Sequence, residues 1–181
     1  AFELFTTQGI NKTTINNIVD AAGVAKGTFY LYFKDKYDIR NKLIAKKASQ
    51  VFRLADDALQ RTSIHALDEK VIFLIDNIID QFTENKSLLN FISKNLSWGV
   101  FKNELLYSSA ADIDFYNIYS SLFEQSEKKY KNPEVLVFMI IELVNSTCFS
   151  CILYSDPVPI GELKPYLFGA VKQLMKSMEL G

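Results

Sequence analysis

The 181-residue sequence offers little for bond-making chemistry. It has one histidine, His65, two cysteines, Cys148 and Cys151, and carboxylates scattered without a partnered base. No nucleophile–base pair or metal-ligand spacing emerges from these groups. The chemistry-bearing residues are concentrated elsewhere, between positions 14 and 36. Thr14, Lys26, Thr28, Tyr30, Tyr32 and Lys36 supply hydroxyl and ammonium groups there, with the small residues Ala25 and Gly27 among them. Such groups bond to phosphate oxygens and base edges, and small neighbours permit close approach. The chemistry implied is recognition of a polyanion rather than catalysis.

Those side chains need elements to hold them. Thr13-Thr14 supplies an N-cap for a helix from Ile15 to about Ala21, with Ile15, Ile18, Val19 and Ala22 on its apolar face. Gly23 stops it, since glycine tolerates positive φ. A second short helix follows from about Ala25 to Tyr32, which makes the segment a helix-turn-helix pattern. Ala21 and Ala22 are small enough for a close crossing, Val24 and Phe29 are expected to plug the angle, and Phe33 turns back to the core. Ahead of this unit lies a helix ending near Gly9 that buries Phe2 and Phe5. Behind it, Asp35 can cap a long helix reaching about Leu59. Charge divides along the same line. Residues 1–50 hold eight Lys and Arg against four acids, and the remainder holds twelve against seventeen. A basic head on an acidic body suits a polyanionic partner for the head alone.

The match to a known family is specific over about the first fifty residues. Thr13-Thr14, Ile18, Ala21-Ala22-Gly23-Val24, the run Lys26 to Phe33 and the following Lys36 resemble the DNA-binding domain of TetR/AcrR transcriptional regulators. Ala1 to Phe5 and Gly9 resemble the end of that family's first helix. The chain reads as starting inside this helix, so a preceding segment is expected. The resemblance implies that Thr14 meets a phosphate from a helix N-terminus and that Lys26, Gly27 and Thr28, beside Ala25, enter the groove. It also implies that Tyr30 and Tyr32 reach phosphates or thymine methyl groups, and that Lys36 clamps a phosphate. Position 32 is often His in the family and is Tyr here.

The expected fold is all-α, with residues 1–45 as the DNA-binding domain and 46–181 as a helical effector-binding and dimerisation domain. Apolar periodicity predicts helices over His65–Phe82, Ser87–Phe101, Asp112–Lys129, Pro133–Tyr154 and Gly161–Leu180. The Pro133–Tyr154 helix is apolar on almost every side and so must be buried on two faces. A membrane span is the competing reading, but Glu142, Asn145, Ser146, Thr147 and Ser150 break its middle. With the last helix it resembles the family's dimer interface, to which Phe138, Ile141, Cys148, Ile152, Leu163, Tyr166, Leu167, Ala170 and Leu174 are assigned. A ligand pocket is expected among Phe82, Phe91, Trp98, Phe101, Phe115, Tyr116, Tyr119, Glu142 and Asn145, for a small and mostly apolar effector. Cys148 and Cys151 read as packing near the dimer seam in a reducing cytoplasm, and no metal or cofactor is expected.

The expectation is therefore a homodimeric repressor, bound to a palindromic double-stranded DNA operator and released by a small molecule. A helical adaptor of the same fold that no longer binds DNA is the alternative; the presence of Lys26, Thr28, Tyr30 and Lys36 argues against it.

Overall fold

The computed structural model describes residues 1–95, 98, 114–124 and 126–180. Helix carries nearly all of this, and the one pairing of extended backbone among them is an isolated bridge between Tyr130 and Glu179. The head contains α1 (Phe2–Thr7), α2 (Ile15–Ala22) and α3 (Lys26–Tyr32). The 24-residue α4 (Lys36–Leu59) runs from the head into the body. The body adds α5 (Leu67–Glu84), α6 (Lys86–Asn95), α7 (Asp114–Tyr119), α8 (Pro133–Tyr154) and α9 (Ile160–Met178).

Local chemistry sets the ends of the head helices. Thr14 Oγ1 accepts from the Asn17 N–H, and Asn17 Oδ1 accepts from the Thr14 N–H, a reciprocal capping box at the start of α2. At its other end Gly23 adopts φ 66°, which lets the Val24 N–H reach Val19 O and the Gly23 N–H reach Asp20 O. These two bonds form a Schellman closure, and glycine fills its left-handed position without steric cost. Asp35 caps α4 by accepting from the Tyr37 and Asp38 N–H groups at 2.7 and 2.8 Å. Such a cap contributes roughly 1 kcal/mol. Thr13 is fully buried and donates to Gly9 O at 2.8 Å, pinning the turn between α1 and α2.

Two apolar clusters share the interior. One joins Phe5, Ile18, Val19 and Phe29 of the head to Ile39, Ile44 and Ala48 of α4 and to Phe91 and Ile92 of α6. The other fills the body between α4, α5, α7, α8 and α9. Helix α8 is long and apolar enough to cross a membrane by length and composition, but it packs here on α5, α6 and α9. On the rim, Lys164 of α9 bridges Asp76 and Asp80 of α5 at 2.7 and 2.6 Å, and Lys172 approaches Asp68 at 3.8 Å.

Several expectations are corrected. Val24 does not plug the angle between the helices; it is 43% exposed, because the closure uses its N–H while its side chain faces outward. Ala22 is exposed as well. The helix expected to start at His65 starts at Leu67, leaving His65 exposed. The helix expected to reach Lys129 widens into a π-helical turn over Ser120–Glu124 and does not continue to it. Lys128 lies in the following turn and pairs with Glu179 at 3.1 Å.

Both cysteines are buried and reduced on α8, and burial pushes the Cys148 thiol up to about 11 from an ordinary value near 9. Folding therefore favours the neutral thiol. That contribution is complete below pH 9 and is lost as the unfolded chain ionises between pH 9 and about 11. Stability from denaturant melts should fall over this interval, and Cys148→Ser should flatten that alkaline slope. The folded protein should also resist alkylation at Cys148 at pH 8.5, reacting on the timescale of unfolding.

Candidate nucleic-acid interface and internal cavity

Helix α3 presents its side chains around one buried ring. Phe29 anchors it, contacting Phe33 at 5.3 Å between ring centroids and Tyr30 edge-on at 5.4 Å. Ala25, Lys26 and Gly27 are exposed at its start and Thr28 is partly buried. Tyr30 and Tyr32 are 52% and 68% exposed, and between them Leu31 is 80% exposed, a position the sequence reading left unassigned. Lys34 and Lys42 add exposed cationic groups beyond the helix. Lys42 donates to Tyr32 O at 3.2 Å and lies 5.2 Å from the Phe33 ring centroid.

Two of the expected phosphate contacts have other partners. Lys36 Nζ donates to Ile10 O, Asn11 O and Thr13 O at 2.9, 3.3 and 3.1 Å. All three ammonium protons thereby hold the turn before α2. The Thr14 hydroxyl donates to Asn17 Oδ1 at 2.8 Å, and its backbone N–H goes to the same oxygen. Its part in the chain as it stands is to cap α2.

The head is attached to the body by aromatic packing. Phe91 of α6 meets Phe2 edge-on at 5.0 Å and stacks with Phe5 at 6.4 Å. The next residue, Ile92, belongs to the same head cluster and also lines an internal cavity. Ala48 and Val51 of α4 do likewise. The head's core and the cavity wall are thus continuous.

The cavity has a volume of about 140 Å³ and lies between α4, α5, α6, α7 and α8. Its lining among the described residues carries no charge, and Asn145 and Tyr119 are its only hydrogen-bonding side chains. Of the residues expected to form a pocket, Phe82, Tyr119 and Asn145 line it. Phe91 does not, being spent on the contact with α1. Trp98 packs edge-on against Phe138 at 5.0 Å, and Glu142 is not part of the lining. Phe101 lies outside the described residues, as do the side chains of Phe115 and Tyr116. Sequence reasoning favoured aromatics, whereas the wall is mostly aliphatic, with Val71, Leu74, Ile75 and Ile78 from α5.

The expected dimer residues separate in the same way. Cys148, Ile152 and Leu167 are already buried within the protomer, and Ile141 lines the cavity, which corrects their assignment. Phe138, Tyr166 and Ala170 are exposed, while Leu163 and Leu174 are half-buried. Val135 and Met139 extend the outward apolar face of α8.

Comparison with known proteins bears on the head first. Residues 1–43 match the family of bacterial regulatory proteins called the tetR family. An HTH-type transcriptional regulator of Staphylococcus aureus (strain USA300) is 23% identical over 172 residues, covering 92% of this chain and 85% of that protein. Among solved structures, FadR from Bacillus subtilis, determined with stearoyl-CoA, superposes with a TM-score of 0.66 at 19% identity. That match covers 98% of this chain and 95% of FadR. A TetR-family regulator from Haemophilus influenzae Rd gives 0.57 at 16% identity, covering 99% of this chain and 92% of that one. These likenesses extend the helical fold over the body. The chain thus carries a tetR-family domain over residues 1–43, and over the rest of its length it shares the helical fold of TetR-family regulators.

Proposed function

We propose that this regulator is a homodimeric repressor that binds a near-palindromic DNA site through α3 and is released when a small, mostly apolar molecule enters the cavity. The observation that carries this reading is the shared wall: Ile92, Ala48 and Val51 belong to the head's core and to the cavity lining at once. A molecule that displaces them changes the packing beneath the head. An effector acts only by binding two states unequally, and this wall gives it a means of doing so. FadR of Bacillus halodurans is a fatty acid degradation regulator and FadR of Bacillus subtilis has been solved with stearoyl-CoA, which supports an apolar effector here.

Residues 1–45 serve as the DNA-binding domain and 46–181 as the effector and dimerisation domain in this reading. Two copies of α3 about one DNA turn apart, roughly 34 Å, require a two-fold protein. The exposed apolar residues Val135, Phe138 and Met139 of α8, with Tyr166 and Ala170 of α9, supply a face for a second copy. Lys26, Thr28, Tyr30 and Tyr32 contact the duplex; Lys36 and Thr14 support it by holding α2 and its preceding turn. The protein works in the cytoplasm, where its reduced cysteines persist.

The direct test is selection of bound duplexes from a random DNA pool at physiological salt. Enrichment of an inverted repeat supports the dimeric reading, and absence of any enrichment from a demonstrated dimer removes it in favour of an adaptor. Two lysine variants then separate contact from scaffold. Lys26→Met should weaken binding to every sequence and lower the salt slope by about one. Lys36→Met should leave that slope unchanged but lower stability by on the order of 2 kcal/mol, as three carbonyls lose their donor. The reverse pattern would return Lys36 to the list of contacts.

The cavity makes its own prediction. An uncharged apolar space of this size accepts a ring of benzene dimensions. Toluene near saturation should raise the melting temperature by about 2 °C or more. Val144→Phe, which places a ring in the same space, should abolish the shift. A shift that survives the substitution would put the binding site elsewhere.

A further inference from the structure

Among the described residues Leu31 is the most exposed of the large apolar side chains, at 80%, and it sits on the helix read as entering DNA. Its placement follows from helix geometry. Each residue advances about 100° around the axis, so Gly27 and Leu31, two positions either side of the buried Phe29, both lie about 160° from it. They straddle the outward pole of α3. Lys26 and Tyr30 flank that pole on one side and Thr28 on the other. Gly27 has no side chain, and a Cβ built there would meet nothing within 4 Å. The pole is therefore a glycine gap one turn ahead of a single projecting isobutyl group.

We propose that Leu31 is a specificity-determining residue that packs against the 5-methyl group of a thymine in each half-site. This rests on α3 being the DNA-reading helix. A helix docked in the major groove brings its outward pole nearest the base edges and its flanks nearest the phosphates. Tyr30, Thr28 and Lys26 on the flanks have polar ends suited to the backbone. Leu31 has no donor or acceptor, so it gains nothing from the polar edges of G, C or A. The apolar feature that the four standard bases present in that groove is the thymine methyl. The Gly27 gap lets the base pair approach closely enough for the contact. Charge agrees with placement: Lys26 and Lys34 are exposed on either end of α3.

The experiment uses the full chain and the duplex it selects, with each thymine replaced in turn by deoxyuridine, which removes only the methyl group. At one position per half-site the wild-type protein should lose about fourfold in affinity, and about fifteenfold when both half-sites are changed. Leu31→Ala should bind the thymine and uracil duplexes equally and melt at the wild-type temperature, since the side chain touches little of its own protomer. Leu31→Met, which keeps an apolar reach, should restore part of the discrimination. Equal losses for wild type and Leu31→Ala at every thymine, or no loss at any, would overturn the proposal while leaving DNA binding intact. Failure to select any duplex would overturn both readings; where a duplex is selected but no thymine matters, unchanged affinity of Lys26→Met for that duplex would assign the failure to the choice of helix.

Discussion

The ring of Phe91 is the contact on which the rest of the molecule depends. It is held by α6, whose other face closes the cavity, and it fills the space between Phe2 and Phe5 of α1. Truncating such a buried ring removes about 3–5 kcal/mol of packing. The head would then be joined to the body through α4 and the contacts of α4 with α6. Helix α3 is joined to this cluster through the buried Phe29 and its contact with Phe33.

This arrangement divides labour by chemistry. Polar groups in the head are committed to its own architecture: Thr13 to the first turn, Thr14 with Asn17 to the α2 cap, Asp35 to the start of α4, and Lys36 to three carbonyls of the turn before α2. Apolar groups carry the path between head and body, from α1 through α6 to the cavity wall, and cover the exposed faces of α8 and α9. Because packed interiors shift between discrete arrangements and resist continuous deformation, the effector proposed for the cavity would be felt in the head through this apolar path.

What could be read from the sequence followed from locality. The α2 cap at Thr14, the stop at Gly23 and the α4 cap at Asp35 are interactions over two to five residues, and they stand where residue types demand. The structural role of Lys36 was not legible, because its partners, the carbonyls of Ile10, Asn11 and Thr13, lie more than twenty residues away and leave no mark on side-chain type. Helix α8 defeated face assignment for a different reason. It is apolar all round, so nothing in its pattern tells which stripe meets the cavity, which the protomer core and which the outside; Ile141, Cys148 and Ile152 were misplaced accordingly. The cavity wall escaped for the converse reason, since aliphatic residues such as Ile75 and Val144 look like ordinary core until space is left between them.

The open environment of Gly27 and Leu31 has an evolutionary consequence. Neither position is packed against the protomer's own interior, so replacing either one asks almost nothing of folding, effector binding or assembly. Buried Phe29, between them in sequence, is fixed by its packing. If α3 reads DNA as proposed, a lineage carrying this head can drift among target sites by exchanging two surface residues while the cavity wall stays untouched. Duplicated copies would be expected to diverge at that pole before they diverge anywhere in the core beneath it.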